Sequence, residues 1–396
     1  MSTSYRNIFL LASCQALLLT NAAGLISMNG LVGYSLVETK TLATLGATTY
    51  VLGSALATMP MSLWMAKVGR RRGFMAGALI NIGGCLLAAA ALFLANFPLY
   101  CLATAVIGIY NAVGLQYRFA ATEVAAPADK ARAISLVLAG GIVGGFLGPA
   151  ISGWGKDLFA KPFLGSFVLL AAVALVALAV QSLVHVPKPA AIERDGGGRP
   201  LREIIRQPVF VVAALSAGLG YGLMNLLMTA TPLAMSFCSH PYAQAAFVIE
   251  WHVVGMYAPG FVTGSLIKRF GMLNVILAGV LVMAGGAVVA LNGNSVAHFV
   301  VALGLVGVGW NFMYTGGTTL LTEAYAPGEK ARTQGANDFI VFSIMGLSSF
   351  SSGALVSAAG WETMNWGVLP FLALIAVAAA WFARRRMQPA ARSTRA

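Results

Sequence analysis

Long apolar runs alternate with short polar breaks from one end of the chain to the other. Twelve runs stand out, at 8–34, 42–66, 74–94, 98–124, 131–155, 162–185, 208–236, 242–267, 273–292, 296–324, 332–358 and 364–383. A helix rises ~1.5 Å per residue, so ~20 apolar residues cross the ~30 Å hydrocarbon layer of a bilayer. The pattern predicts an all-α integral membrane protein with twelve transmembrane helices. Only one break is long, polar and rich in Gly and Pro: KPAAIERDGGGRPLREIIRQ. It predicts a linker at 187–207 between two six-helix halves, 1–186 and 208–385, with a basic tail at 386–396.

The two halves repeat. TEVAAPADKAR (Thr122 to Arg132) matches TEAYAPGEKAR (Thr322 to Arg332) at an offset of 200 residues, and Asn111 and Asn311 share that offset. SLWMAKVGRRRG (Ser62 to Gly73) has a weaker counterpart in GSLIKRFG (Gly264 to Gly271). A repeat of six spans about an axis along the membrane normal predicts two pseudo-symmetric halves and a transporter.

Composition agrees with the pattern. Charged residues make up 9% of the chain, well under the roughly 25% of soluble domains. Forty-five glycines suit helices that approach closely in a membrane. The net charge of +13 falls in the short breaks, so it reads as membrane topology and not as a nucleic-acid surface. Basic residues collect in the breaks on the side of both termini, among them Arg70, Arg71, Arg72, Arg199, Arg202, Arg206, Lys268, Arg269 and Arg384 to Arg386. The opposite side holds only Lys40, Lys156 and Lys161. This asymmetry places both termini in the cytoplasm of a bacterial inner membrane. The first run is too long for a signal-peptide core and reads as the first span. The four cysteines show no CxxC spacing, and no nucleotide loop or hydrolase motif occurs, so neither an enzyme nor a bound organic cofactor is expected.

With the repeat and these loops, the whole chain resembles the major facilitator superfamily. VGRRRG after the second span is similar to that superfamily's signature loop, although Ala66-Lys67 stands where the family usually has an Asp. GGFLGPAISG (Gly144 to Gly153) resembles a Gly-Pro motif of drug/proton antiporters.

The candidate chemistry lies in spans seven and eight. Met224 and Met228 are spaced i, i+4, as are His252 and Met256, so each pair shares one helix face. Thioethers and imidazole are donors for a soft ion such as Cu(I), whereas methionine also fills apolar cores. A histidine in mid-span is costly without a partner. Together MNLLM and HVVGM resemble the paired MxxxM and HxxxM motifs of the CcoA-like copper importers. That resemblance implies copper as the transported substrate, Met224, Met228, His252 and Met256 as its ligands, and copper chaperones or cytochrome oxidase assembly factors as partners beside membrane lipids. Met235 and Cys238 are candidates for a longer metal path.

The remaining in-span charges suggest coupling or gating: Arg118, Glu250 and Asp338 in spans four, eight and eleven, with Glu123 and Glu323 at matching ends of the two halves. Arg118, Glu250 and Asp338 are the coupling groups of the alternative expectation, a proton-coupled exporter of small organic molecules, while Glu123 and Glu323 read as gate salt bridges to nearby basic loops.

Overall fold

The computed structural model describes residues 3–125, 130–186, 198–326 and 329–387. The first half comprises α1 (Thr3–Leu36), α2 (Leu45–Val68), α3 (Arg70–Phe93), α4 (Phe97–Gly114) with its short continuation α5 (Tyr117–Val124), α6 (Lys130–Gly155) and α7 (Leu164–Ser182). After α8 (Leu201–Ile205), the second half comprises α9 (Pro208–Phe237), α10 (Tyr242–Tyr257) with its continuation α11 (Gly260–Phe270), α12 (Met272–Leu291), α13 (Val296–Leu321) and α14 (Lys330–Met387).

Among the described residues, ten apolar helical stretches are long enough to cross a membrane. One of these holds two crossings. At 58 residues, α14 would be ~87 Å long if straight, far more than one bilayer. Gly360, at φ 80° and ψ 170°, instead divides it into two helices. Only glycine adopts such a φ cheaply. With α6 as a further crossing, the bundle makes the twelve expected. Spans four and eight are not single helices as the apolar pattern suggested. Span four breaks after Gly114 and span eight at Ala258 and Pro259, where proline lacks the N–H a continuous ladder needs.

The repeat is visible in the packing. In the first half a Cβ at Gly108 would collide with the Tyr50 carbonyl oxygen and lie 2.9 Å from Ser54 N. In the second, a Cβ at Gly307 would lie 2.7 Å from His252 O and 2.8 Å from Met256 N. Each half thus presses its fourth span onto its second, backbone against backbone, through glycines. Asn111 repeats the theme by donating to Ser54 Oγ (3.0 Å), and Asn311 by donating to the Met256 carbonyl (2.7 Å). Gly69 and Gly271 close the second span of each half with nearly the same backbone, φ 94° and 85°.

The halves meet through α1 with α9, α6 with α10, and α2 with α14. On the side away from the termini they are hydrogen-bonded together. Ser27 Oγ and Tyr242 OH are 2.8 Å apart; Thr44 Oγ1 donates to the Ser349 carbonyl (2.9 Å) and accepts from Gly353 N (2.9 Å). Tyr34 packs edge-on against Phe237 there. On the terminal side no ion pair among the described residues joins the two halves: Arg70 pairs with Glu123 in the first, Arg386 with Glu323 in the second, and Arg199 ties the linker to Glu329 of the second.

Candidate functional site

Met224, Met228 and Met235 on α9 and His252 and Met256 on α10 are all buried in the apolar core of the second half. The His252 ring is turned toward α13, where Nδ1 lies 2.7 Å from the Leu303 carbonyl. A carbonyl only accepts, so the ring carries its proton on Nδ1 and leaves Nε2 as a bare acceptor. Nε2 is enclosed with no partner among the described residues. Glu250 and His252 both precede the break at Ala258, on continuous helix, so their side chains diverge by roughly 200° and do not pair. Gly255 does not break the helix; it lets α10 approach the Gly304 carbonyl of α13. Cys238 caps the end of α9 and is half-buried.

The candidate charges lie elsewhere. Glu123 is held by Arg70 through two bonds, 2.7 and 3.3 Å, and Arg70 also donates to Gln116 Oε1 (3.0 Å). Glu323 pairs with Arg386 across to the end of α14. Glu250 is half-buried on α10. Asp338 is exposed on α14 beside Asn337, whose Nδ2 lies 3.4 Å from Oδ1. The side chain of Arg118 lies outside the described residues.

The centre of the molecule holds an aromatic group that the reading of spans and motifs passed over. Trp310 and Tyr314, one turn apart on α13, are stacked with centroids 5.3 Å apart and planes 12° from parallel. Tyr221 of α9 stands perpendicular to both, at 5.1 Å from Trp310 and 5.3 Å from Tyr314. Tyr257 of α10 is edge-on to Trp310 at 6.3 Å. All four fall near the middle of their spans. Tyr221 and Tyr314 also pack against a cluster that includes Met28 of α1 and Tyr50 of α2, so the group sits where the halves meet. The three tyrosines are half-buried, whereas Trp310 is 6% exposed and its Nε1–H has no acceptor among the described residues. The available signal in the sequence was the i, i+4 pair Trp310 and Tyr314 beside the repeated Asn311.

The model of the Major Facilitator Superfamily matches residues 8–347. The chain belongs to the major facilitator superfamily. It is 42% identical over 377 residues to the riboflavin transporter RfnT of Brucella anthropi, covering 94% of each chain. It is 26% identical over 383 residues to an uncharacterized MFS-type transporter of Bacillus subtilis, YddS, covering 92% of this chain and 88% of that one. Among solved structures, it matches a bacterial homolog of the human lysosomal transporter Spinster, inward-facing and unoccupied, with a TM-score of 0.74 at 16% identity, over 98% and 100% of the two chains. The nucleoside transporter NupG matches with a TM-score of 0.77 at 15% identity, over 94% and 99%. Likenesses at this identity establish the fold alone.

The relationship to RfnT overturns the reading of a copper importer. With it go the CcoA-like resemblance, copper as substrate, metal binding as a property of the chain, and copper chaperones or oxidase assembly factors as partners. The physical ground for the error is plain in the core. Met224, Met228 and Met235 pack among Leu223, Leu227, Ala230 and Leu233, and the His252 ring is hydrogen-bonded to a neighbouring helix. Among the described residues no group of three or more His, Cys, Asp or Glu stands together. An i, i+4 pair marks one face of a helix, but not what that face meets.

Proposed function

We propose that this protein carries riboflavin, or a flavin with the same ring system, across the bacterial inner membrane by alternating access. The observation that carries the reading is 42% identity to a riboflavin transporter along 94% of both chains. The centre of the bundle suits such a cargo. A flat tricyclic ring is held best by aromatic faces and by a few directed hydrogen bonds. Tyr221, Tyr257, Trp310 and Tyr314 supply faces, hydroxyls and one indole N–H at mid-membrane depth.

The halves 1–186 and 208–385 are the bodies that rock about this centre. The basic loops put both termini and the linker in the cytoplasm. On that orientation the hydrogen bonds between Ser27 and Tyr242 and between Thr44 and Ser349 close the outer face, and the described conformation opens inward. Glu123 with Arg70, and Glu323 with Arg386, bind each cytoplasmic end within its own half in this state, as gating pairs do.

The test is uptake of radiolabelled riboflavin by a riboflavin-requiring bacterium expressing the protein. Uptake and growth on low riboflavin should both exceed those of the vector control. Expression at the membrane without either gain refutes the flavin reading.

A further inference from the structure

Resting on that flavin reading, we propose that Trp310, Tyr314 and Tyr221 form the subsite for the isoalloxazine ring, with Trp310 Nε1–H donating to an acceptor on the ring edge.

The first argument is the indole. A buried N–H without an acceptor destabilises the protein that holds it. Trp310 is 6% exposed and its Nε1 has no partner among the described residues, in the middle of a span and beside the junction of the halves. The isoalloxazine edge carries two carbonyl oxygens and unprotonated ring nitrogens, so a bound ring supplies the missing acceptor.

The second argument is geometry. Trp310 and Tyr314 form a near-parallel pair, 12° apart. Tyr221 stands across both, at interplanar angles of 83° and 85°. Tyr221 and Tyr314 are half-buried, so the group is reachable from the centre. A flat guest that turns Tyr221 aside replaces an edge contact with a stacked one. Electron-rich indole and phenol faces suit the electron-poor flavin ring.

The third argument is that the fold does not need this group. Two hundred residues earlier, the repeat places Tyr110 and Gly114 at the positions of Trp310 and Tyr314. Tyr110 is buried and receives a bond from Gln181 Nε2 at 3.3 Å, and a Cβ at Gly114 would strike Leu18. The first half packs the same span with no aromatic pair there. The pair in the second half is an addition to the repeat.

The experiment titrates riboflavin into the purified full chain in detergent and follows quenching of flavin fluorescence, which stacking on Trp and Tyr produces. Trp310→Phe keeps a ring and loses the N–H; affinity should fall about tenfold, the worth of one buried hydrogen bond. Tyr314→Leu removes a stacking face; affinity should fall by roughly 10- to 100-fold. Trp154→Phe, at an exposed tryptophan of α6 in the other half, should bind as wild type does. Lumiflavin, the ring without the ribityl chain, should displace riboflavin from wild type and lose the same factor in Trp310→Phe. A change in packing alone would move melting temperature without this matched loss. Unchanged affinity in both folded variants overturns the subsite while riboflavin binding by wild type leaves the flavin reading standing. If neither variant folds, failure of lumiflavin to displace riboflavin from wild type overturns it. No riboflavin binding and no uptake by wild type defeats the flavin reading itself, and the subsite falls with it.

Discussion

Gly307→Ala tests the backbone contact on which the second half is built. The added Cβ would lie 2.7 Å from His252 O and 2.8 Å from Met256 N, both main-chain atoms of α10 that no rotamer change can move away. Ordinary contact begins near 3.4 Å, so α10 and α13 must separate by roughly 0.7 Å, and overpacking of this kind costs ~1–3 kcal/mol. The same separation stretches the bond from His252 to Leu303, now 2.7 Å, to a length where little of it remains, a further loss of ~1 kcal/mol. The sum is roughly 2–4 kcal/mol, and a unit the size of one half loses about 2–4 °C of melting temperature per kcal/mol. Thermal unfolding in detergent, followed by tryptophan emission, should therefore shift down by about 4–16 °C. Trp310 and Trp361, both buried in the second half, report it. Gly304→Ala is the control: it lies on the same helix one turn earlier with nothing within 4 Å of its Cβ, and alanine is the better helix former by up to ~1 kcal/mol. It should melt at or slightly above wild type. A Gly307→Ala protein within about 2 °C of wild type, on the same scale, would refute the argument that backbone contact fixes this interface.

Two further outcomes follow from the same geometry. Met224→Leu conserves apolar volume at a buried site and should cost under ~1.5 kcal/mol, while His252→Leu loses the bond to Leu303 but also removes the stranded Nε2; riboflavin uptake should survive in both, and its loss at matched protein levels would show that these residues act on the cargo. At the linker, Arg199 binds Glu329 through its backbone N, Nε and Nη2, and pulls the Glu329 carboxyl down to about 2. A depressed carboxylate stabilises above its ordinary range and loses that contribution only as pH falls toward 2. Hydrogen exchange at the Arg199 and Ala326 amides, both of which donate to Glu329, should stay slow at pH 4, and Glu329→Gln should speed it about tenfold; release of the wild-type amides near pH 4.5 would contradict the pairing.

The apolar period revealed the crossings because a bilayer sets their length, and the repeat revealed the two halves because both carry the same loop between their fourth and fifth spans. Breaks inside spans were harder to place. Pro259 breaks span eight, but Pro60, Pro149, Pro232 and Pro370 all sit inside continuous helices. Whether a proline breaks a span depends on what its neighbours can bond, and that is a tertiary matter. The aromatic centre was hidden for a related reason. Tyr221, Tyr257 and Trp310 come from three spans and meet only once the helices are packed, so no local spacing announces them. The Met and His pairs did have a local spacing, and it pointed to a face without revealing that the face lay in the core.

The packing of the second span on the fourth explains why position 252 attracted attention without needing a ligand. Gly307 covers His252 O and Met256 N as Gly108 covers Tyr50 O and Ser54 N. His252 therefore stands where the first half has Tyr50, and Met256 where it has Ser54. These positions hold the second span against the fourth in both halves, and a transporter that rocks two similar bodies needs that contact twice. A riboflavin molecule has no such two-fold symmetry. One cargo in one central site must be read by groups that the halves do not share. Trp310 and Tyr314, set against Tyr110 and Gly114, are such a difference, and Asn111 and Asn311 are not: both Asn side chains tie the same pair of spans together. In this chain the agreements between the halves describe the fold, and the disagreements at the midplane are where specificity for the cargo must be sought.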